Sequence, residues 1–168
     1  MKYKIKLSDV TTYKFGGYCN NYYKISNVNF DIFNEAFNVK DNFILGKGSN
    51  IAFSDEDYEG NIISPDFKDI TYDQELSEVK VGAGFFLPDL ARFYKKNNLI
   101  NAEFLIGIPG SVGGAIKMNA GAYRWEFSDL LLHIEVYNLD KNKIEVIHKD
   151  DMSHMVGRKA AAIGYILN

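Results

Sequence analysis

The chain has 168 residues, 46% of them hydrophobic and 24% charged, and a formal net charge of −3. That is the composition of a folded chain long enough to bury a core, and it excludes a disordered or low-complexity segment. Acidic and basic residues are interleaved, so no basic face is set aside for nucleic acid.

In chain order, MKYKIKLSDV alternates charged and apolar residues and lacks the continuous apolar core of a secretory signal. No later run approaches the ~20 apolar residues of a membrane span. Cys19, the one cysteine, rules out a disulfide framework, fits a reducing compartment and reads as a small buried core residue. The expectation is a soluble cytoplasmic protein bound to neither membrane nor nucleic acid.

Phe30, Phe33 and Phe37 fall at helical spacing behind Asn27 or Asn29 as N-cap, predicting a short helix. NFILGKGSNIAF reads as a strand, a tight turn and a second strand, and NIIS as a further strand. EVKVGAG alternates, with Val79 and Val81 on one face. LPDLARFYKKNN predicts a helix with Pro88 in its first turn, a stripe of Leu87, Leu90, Ala91 and Tyr94, and two asparagines ending it. LLLHIEVYNLDKNKIEVI predicts a hairpin turning at LDKNK, and AAAIGYILN a closing strand. The elements are mixed α and β, and a break between two lobes is expected near YDQELS, giving lobes of about 1–75 and 76–168.

Three stretches carry potential chemistry. In Gly46-Lys47-Gly48-Ser49-Asn50, two glycines one residue apart permit unusual φ angles, so successive N–H groups can form a phosphate-binding nest. The bland alternative is a hairpin turn. The stretch is not a dinucleotide-binding G-x-G-x-x-G, because Ile51 stands where the third glycine would be and a strand is expected to follow, and no Walker G-x-x-x-x-G-K-[ST] occurs in the chain. In GIPGSVGG, Pro109-Gly110 makes a turn, and Gly110, Gly113 and Gly114 leave backbone open to a flat ligand or a diphosphate. A glycine-rich helix start packed on a sheet would look the same. MNAGAY places small residues after Asn119, and Tyr123 by itself reads as a core aromatic. Two acid-free glycine loops more than fifty positions apart together suggest a dinucleotide-like ligand with its diphosphate held between two lobes. His133, His148 and His154 show no metal-ligand spacing. His133 reads as packed or solvated on a strand, and Lys149–Asp151 as a solvated turn, with a metal site there as the alternative.

TYKFGG (Thr12–Gly17), LGKGSN, VGAG (Val81–Gly84), AEFLIGIPGSVGGA (Ala102–Ala115) and MNAGAY stand in the order and spacing of the UDP-N-acetylenolpyruvoylglucosamine reductase family. This flavin enzyme of peptidoglycan precursor synthesis is also called UDP-N-acetylmuramate dehydrogenase. The resemblance covers nearly the whole chain. It implies an α+β, two-lobed FAD-binding domain of the p-cresol methylhydroxylase / vanillyl-alcohol oxidase type, with FAD between the lobes and NADPH as reductant. Carried over by motif, Gly46, Lys47, Gly48, Ser49, Asn50 and Ile51 form one wall of the FAD site. Gly107, Ile108, Pro109, Ser111, Gly113 and Gly114 form the other. Asn119, Gly121, Ala122 and Tyr123 lie near the flavin ring or its ribityl chain, and Ile166 near the adenine half.

The family's catalytic arginine sits in F-G-Y-R-x-S. Here MVGRKA (Met155–Ala160) aligns Arg158 with it, with Gly157 at the tyrosine and Ala160 at the serine. The family glycine after GAY is Arg124, followed by Trp125. The general-acid serine and the glutamate of the family belong to a further substrate-binding domain and have no counterpart in these 168 residues. The resemblance therefore implies a flavoprotein impaired in the family reaction or dependent on a separate substrate-domain protein. The alternatives are an FAD-binding module without that reaction, and an interaction domain that has lost the cofactor. An apolar docking edge would also permit self-association.

Overall fold

The computed structural model describes residues 1–138 and 140–151, and the backbone of 160–167. The N-terminal half builds a four-stranded sheet in the order β1-β2-β4-β3. β1 (Lys2–Lys6) is an edge strand with Lys2, Lys4 and Lys6 exposed and Tyr3 and Ile5 turned inward. Lysines along an edge discourage pairing with another chain. β1 runs antiparallel to β2 (Tyr18–Ile25), whereas β2 and β3 (Asn42–Ile44) both run parallel to β4 (Tyr58–Pro65). β4 is the central strand and is buried continuously from Asn61 to Ser64.

α1 (Phe30–Phe37) begins where Asn29 accepts a hydrogen bond from the Ile32 N–H at 3.0 Å. It buries Phe33 and Ala36. Phe33 stacks on Tyr137 with ring centroids 4.6 Å apart, and Asn61 Nδ2 donates to the Ala36 carbonyl at 2.8 Å. These contacts join α1 to both sheets.

The second strand expected after GKGSN is absent: Ile51–Phe53 has no strand pairing. The reason is topological. β3 lies parallel to β4, so the chain between them must cross over rather than turn back as a hairpin, and both sides of β4 are already taken. Ile51 and Phe53 pack instead on a small core of Leu7, Cys19, Tyr22, Leu45 and Ile62. Cys19 is fully buried there, which pushes its thiol pKa up.

The second sheet is antiparallel, in the order β10-β9-β11-β6-β5. It comprises β5 (Ile70–Asp73), β6 (Glu78–Gly82), β9 (Leu131–Asn138), β10 (Lys143–His148) and β11 (Ala160–Leu167). β9 and β10 form the expected hairpin, and the closing strand β11 inserts between β9 and β6. The YDQELS segment is the turn of the β5–β6 hairpin, so the passage between sheets falls earlier, at residues 66–69, and not near 75 as expected. Asp66 marks it: its N–H donates to Ile25 at 2.7 Å, and its carboxylate takes Lys68 at 2.9 Å and Lys24 at 3.2 Å. Burial raises the Asp66 pKa, but these two ammonium partners more than offset that and leave it below the ordinary carboxylate value.

α2 (Leu87–Lys96) carries Pro88 in its first turn and buries the predicted stripe Leu87, Leu90, Ala91 and Tyr94. Asn97 caps its end, and Asn98 follows with φ 56°. The main core runs without interruption from Tyr23, Ile25 and Ile63 of the first sheet to Val79, Val81, Ile134 and Val136 of the second. Among the described residues no helix is long and apolar enough to cross a membrane.

Candidate functional site

Leu45 anchors the first loop: it is buried, and its N–H donates to Ile63 at 2.8 Å. Gly48, with φ 65°, turns against the Val10–Thr12 segment, and its carbonyl accepts from the Thr12 N–H at 2.9 Å. A Cβ on Gly48 would stand 2.1 Å from the Val10 carbonyl oxygen, so the protein itself demands glycine here. Gly48 is buried, yet among the described residues nothing accepts from its N–H, nor from those of Gly46, Lys47, Ser49 or Asn50. A run of unpaired backbone donors, one of them on a buried residue, calls for an acceptor from elsewhere.

The second loop leaves a one-turn helix (Glu103–Gly107) and passes Ile108, Pro109 and Gly110 to Ser111, the N-cap of α3 (Val112–Met118). It is stitched to the end of β6 and the start of α2. Leu87 N–H donates to Gly110, Val112 N–H to Phe85 and Gly113 N–H to Ala83, all at 2.9–3.0 Å. Ser111 Oγ accepts from the Gly114 N–H at 3.4 Å. The N–H groups of Val112, Gly113 and Gly114 are therefore spent inside the protein, while those of Gly110 and Ser111 have no acceptor among the described residues.

The two loops face one another. A Cβ on Gly46 would lie 2.7 Å from Ser111 Oγ, and one on Gly110 would lie 3.4 Å from Ser49 Oγ. A Cβ on Gly107 would meet nothing within 4 Å. Neither loop contains an acidic residue. Unpaired amides, hydroxyls, Lys47 and an absence of carboxylates fit a diphosphate by donor chemistry.

The third stretch forms a ribbon, β7 (Gly121–Ala122) against β8 (Trp125–Glu126). Tyr123 and Arg124 are its two-residue tip, with φ 55° and 72°. Positive φ at both positions is the type I′ hairpin turn, which favours Asn-Gly and strains bulky residues. Tyr123 is 89% exposed, which corrects its reading as a core aromatic. Asn119 ends α3 with φ 44°. Its Nδ2 donates to Glu126 at 2.6 Å, and its Oδ1 accepts from the Ser128 N–H at 3.1 Å, so its side chain pins the ribbon to α4 (Phe127–Leu130). A cavity of about 300 Å³ opens beside the tip, lined by Asn101, Glu103, Phe104, Tyr123 and Trp125. Sequence reasoning missed Asn101, Glu103 and Phe104 there, and also Thr12 as the brace of the first loop.

Ile166 sits in the β11 ladder between Lys80 and His133. Arg158, Gly157 and His154 lie outside the described residues. Among the described residues no group of three or more His, Cys, Asp or Glu is gathered to hold a metal.

The chain belongs to the FAD binding domain family, whose profile matches residues 39–146, a stretch containing both loops. Within that class its relatives are UDP-N-acetylenolpyruvoylglucosamine reductases. It is 36% identical over 152 residues to the one from Orientia tsutsugamushi (strain Ikeda), covering 86% of this chain and 50% of that protein. The crystal structure of UDP-N-acetylenolpyruvylglucosamine reductase from Thermus caldophilus superposes with a TM-score of 0.82 at 27% identity, covering 100% of this chain and 62% of that one. CrmK, a flavoenzyme of caerulomycin biosynthesis, shares the fold with a TM-score of 0.65 at 17% identity, over 98% of this chain and 39% of its own. The chain spans about half the length of the curated relatives it matches. Its fold is the FAD-binding class expected from the resemblance.

Proposed function

We propose that this chain holds FAD with the diphosphate between the two glycine loops, and that it contributes the flavin half of an NADPH-dependent reduction of UDP-N-acetylglucosamine enolpyruvate. The observation that carries this reading is the apposition of Gly46 and Ser49 with Ser111 and Gly110, beside amides the protein leaves unpaired. Gly46–Asn50 would supply most of the N–H donors, and Gly110 and Ser111 the rest. Gly113 and Gly114 would serve close packing, because their N–H groups are already used. Ile51, Ile108 and Pro109 would wall the site, Ala122 and Tyr123 would approach the ring side, and Ile166 the adenine half.

Bound FAD supplies hydride transfer, from NADPH and on to the enolpyruvyl double bond. The protein must then furnish a proton to the other carbon from a group within hydrogen-bond reach. The family's serine and glutamate for that task have no counterpart in these residues, and Arg158 is the one family catalytic position retained. Turnover by these residues alone is therefore expected to be impaired, or to need a separate substrate-domain protein. A cytoplasmic setting fits the single buried Cys19. Arg124, at φ 72° where the family has glycine, favours a second reading: an FAD-binding module with altered access to the ring and without that reductase activity.

The test is the visible spectrum of the purified chain, before and after adding FAD and removing the excess. Retained flavin bands that NADPH bleaches under anaerobic conditions and the enolpyruvyl sugar restores support the first reading. Retained flavin that the sugar does not reoxidise supports the second. A folded chain that keeps no flavin refutes both.

A further inference from the structure

His133 on β9 and His148 on β10 are direct register partners. They project from the face opposite the buried Ile134 and Val136, since side chains alternate along a strand. His133 is partly exposed and His148 exposed. Their ring centroids are 5.6 Å apart, with planes tilted by 56°, so the rings are not stacked. Two imidazoles sharing one metal at about 2.0–2.1 Å per nitrogen sit roughly 4.5–6.3 Å apart, centre to centre, as the angle between them opens from cis to trans.

We propose that His133 and His148 form a two-imidazole surface site for a borderline transition cation, Cu²⁺ ahead of Ni²⁺ and Zn²⁺. β9 is held on both sides, by β10 and β11, so His133 is fixed in the ladder and the pair needs little ordering to chelate. Among the described residues, the charged groups that strand alternation puts on this face are Glu135 on β9, Lys80 and Glu78 on β6, and Asp73 on β5. Glu135 lies two residues along β9, and Lys80 on β6 holds it at 2.7 Å. That ion pair sets the Glu135 carboxylate against the Lys80 ammonium. Val146, opposite Glu135, adds no charge. Among the described residues the protein supplies two nitrogens and no further ligand is gathered with them, which leaves the other coordination positions to water. The order of preference follows the general affinity order of divalent metals for nitrogen sites.

The test uses the untagged full chain with aqueous Cu²⁺ alone, read by titration calorimetry and electron paramagnetic resonance. One strong site with a two-nitrogen coupling pattern is expected. His133→Gln or His148→Gln should each weaken it about a hundredfold, the advantage of linking two ligands. In the unaltered protein, substoichiometric Cu²⁺ should broaden both the His133 and the His148 ring resonances in NMR, which needs no variant to fold. A one-nitrogen spectrum, broadening of only one ring, or undiminished binding in either variant overturns the proposal.

Discussion

Gly46→Ala gives a sign test of the two-loop apposition. No positive φ accompanies Gly46, so alanine is allowed by the backbone, and the substitution alone would stabilise by about 0.4–1 kcal/mol through the unfolded chain. The new methyl, however, would lie 2.7 Å from Ser111 Oγ. Ser111 is 3% exposed, and its hydroxyl can escape only by leaving the Gly114 N–H that it caps. Loss of an N-cap costs about 0.5–2 kcal/mol, so Gly46→Ala should be net destabilising in the natural sequence, by roughly 0.5–1 kcal/mol. In a Ser111→Ala background the cap is already gone and the clash with it, so the same substitution should become neutral or stabilising. The coupling of about 1 kcal/mol exceeds the 0.3–0.5 kcal/mol scatter of independent sites. Urea unfolding of the four variants without cofactor measures it. Additive costs, or a destabilising Gly46→Ala in both backgrounds, would mean that the loops do not touch at this point.

Gly48→Ala should cost about 2–4 kcal/mol, combining left-handed strain with loss of the Thr12–Gly48 hydrogen bond; thermal melts should show it, and flavin retention should fall with it. Arg124→Gly should do the reverse, stabilising by roughly 1 kcal/mol by relieving φ 72°, a Tm rise of about 2–4 °C; an unchanged or lower melting temperature would contradict the strained-tip reading. Glu145 is held down to about 2, first by the Lys141 ammonium and then by Asn138 Nδ2, each 2.7 Å away. Its folded pKa lies below the ordinary glutamate value of about 4.3, so its contribution is complete above that pH and is lost as pH falls towards 2. Glu145→Gln should accordingly lower the urea midpoint at pH 7 and leave it nearly unchanged near pH 2.

Elements whose cause is local were legible in the sequence. The Asn29 cap with the Phe33 spacing, the Pro88 start with the α2 stripe, and the LDKNK turn each specify their element within about ten residues. The parallel pairing of β3 with β4, and the entry of β11 between β9 and β6, depend on partners far along the chain, and no local pattern distinguishes a crossover from a hairpin at GKGSN. The lobe break was misplaced for the same reason: polar turn residues mark YDQELS as strongly as a linker would, whereas the actual crossing is fixed by Asp66 and two lysines. Asn101, Glu103 and Phe104 could not be found from spacing, because a cavity wall is a property of where the ribbon folds back.

The glycines show how far sequence can go toward the site itself. GKGSN and GIPGSVGG look alike as exposed backbone, yet the structure divides them. Gly48 is required by Val10, Gly46 by Ser111, and Gly113 and Gly114 have spent their N–H groups on Ala83 and Ser111. What remains for a ligand is a set of amides, Gly46 through Asn50 with Gly110 and Ser111, rather than the glycines as such. Glycine content marks where the two loops come close together; which N–H groups stay unpaired is decided by partners on β6 and in the Val10–Thr12 segment. The positions whose side chains can be changed with least effect on the fold are therefore Lys47, Ser49 and Asn50. A loss of flavin on substituting Ser49 or Lys47, without a loss of stability, would locate binding in this loop more cleanly than any glycine variant.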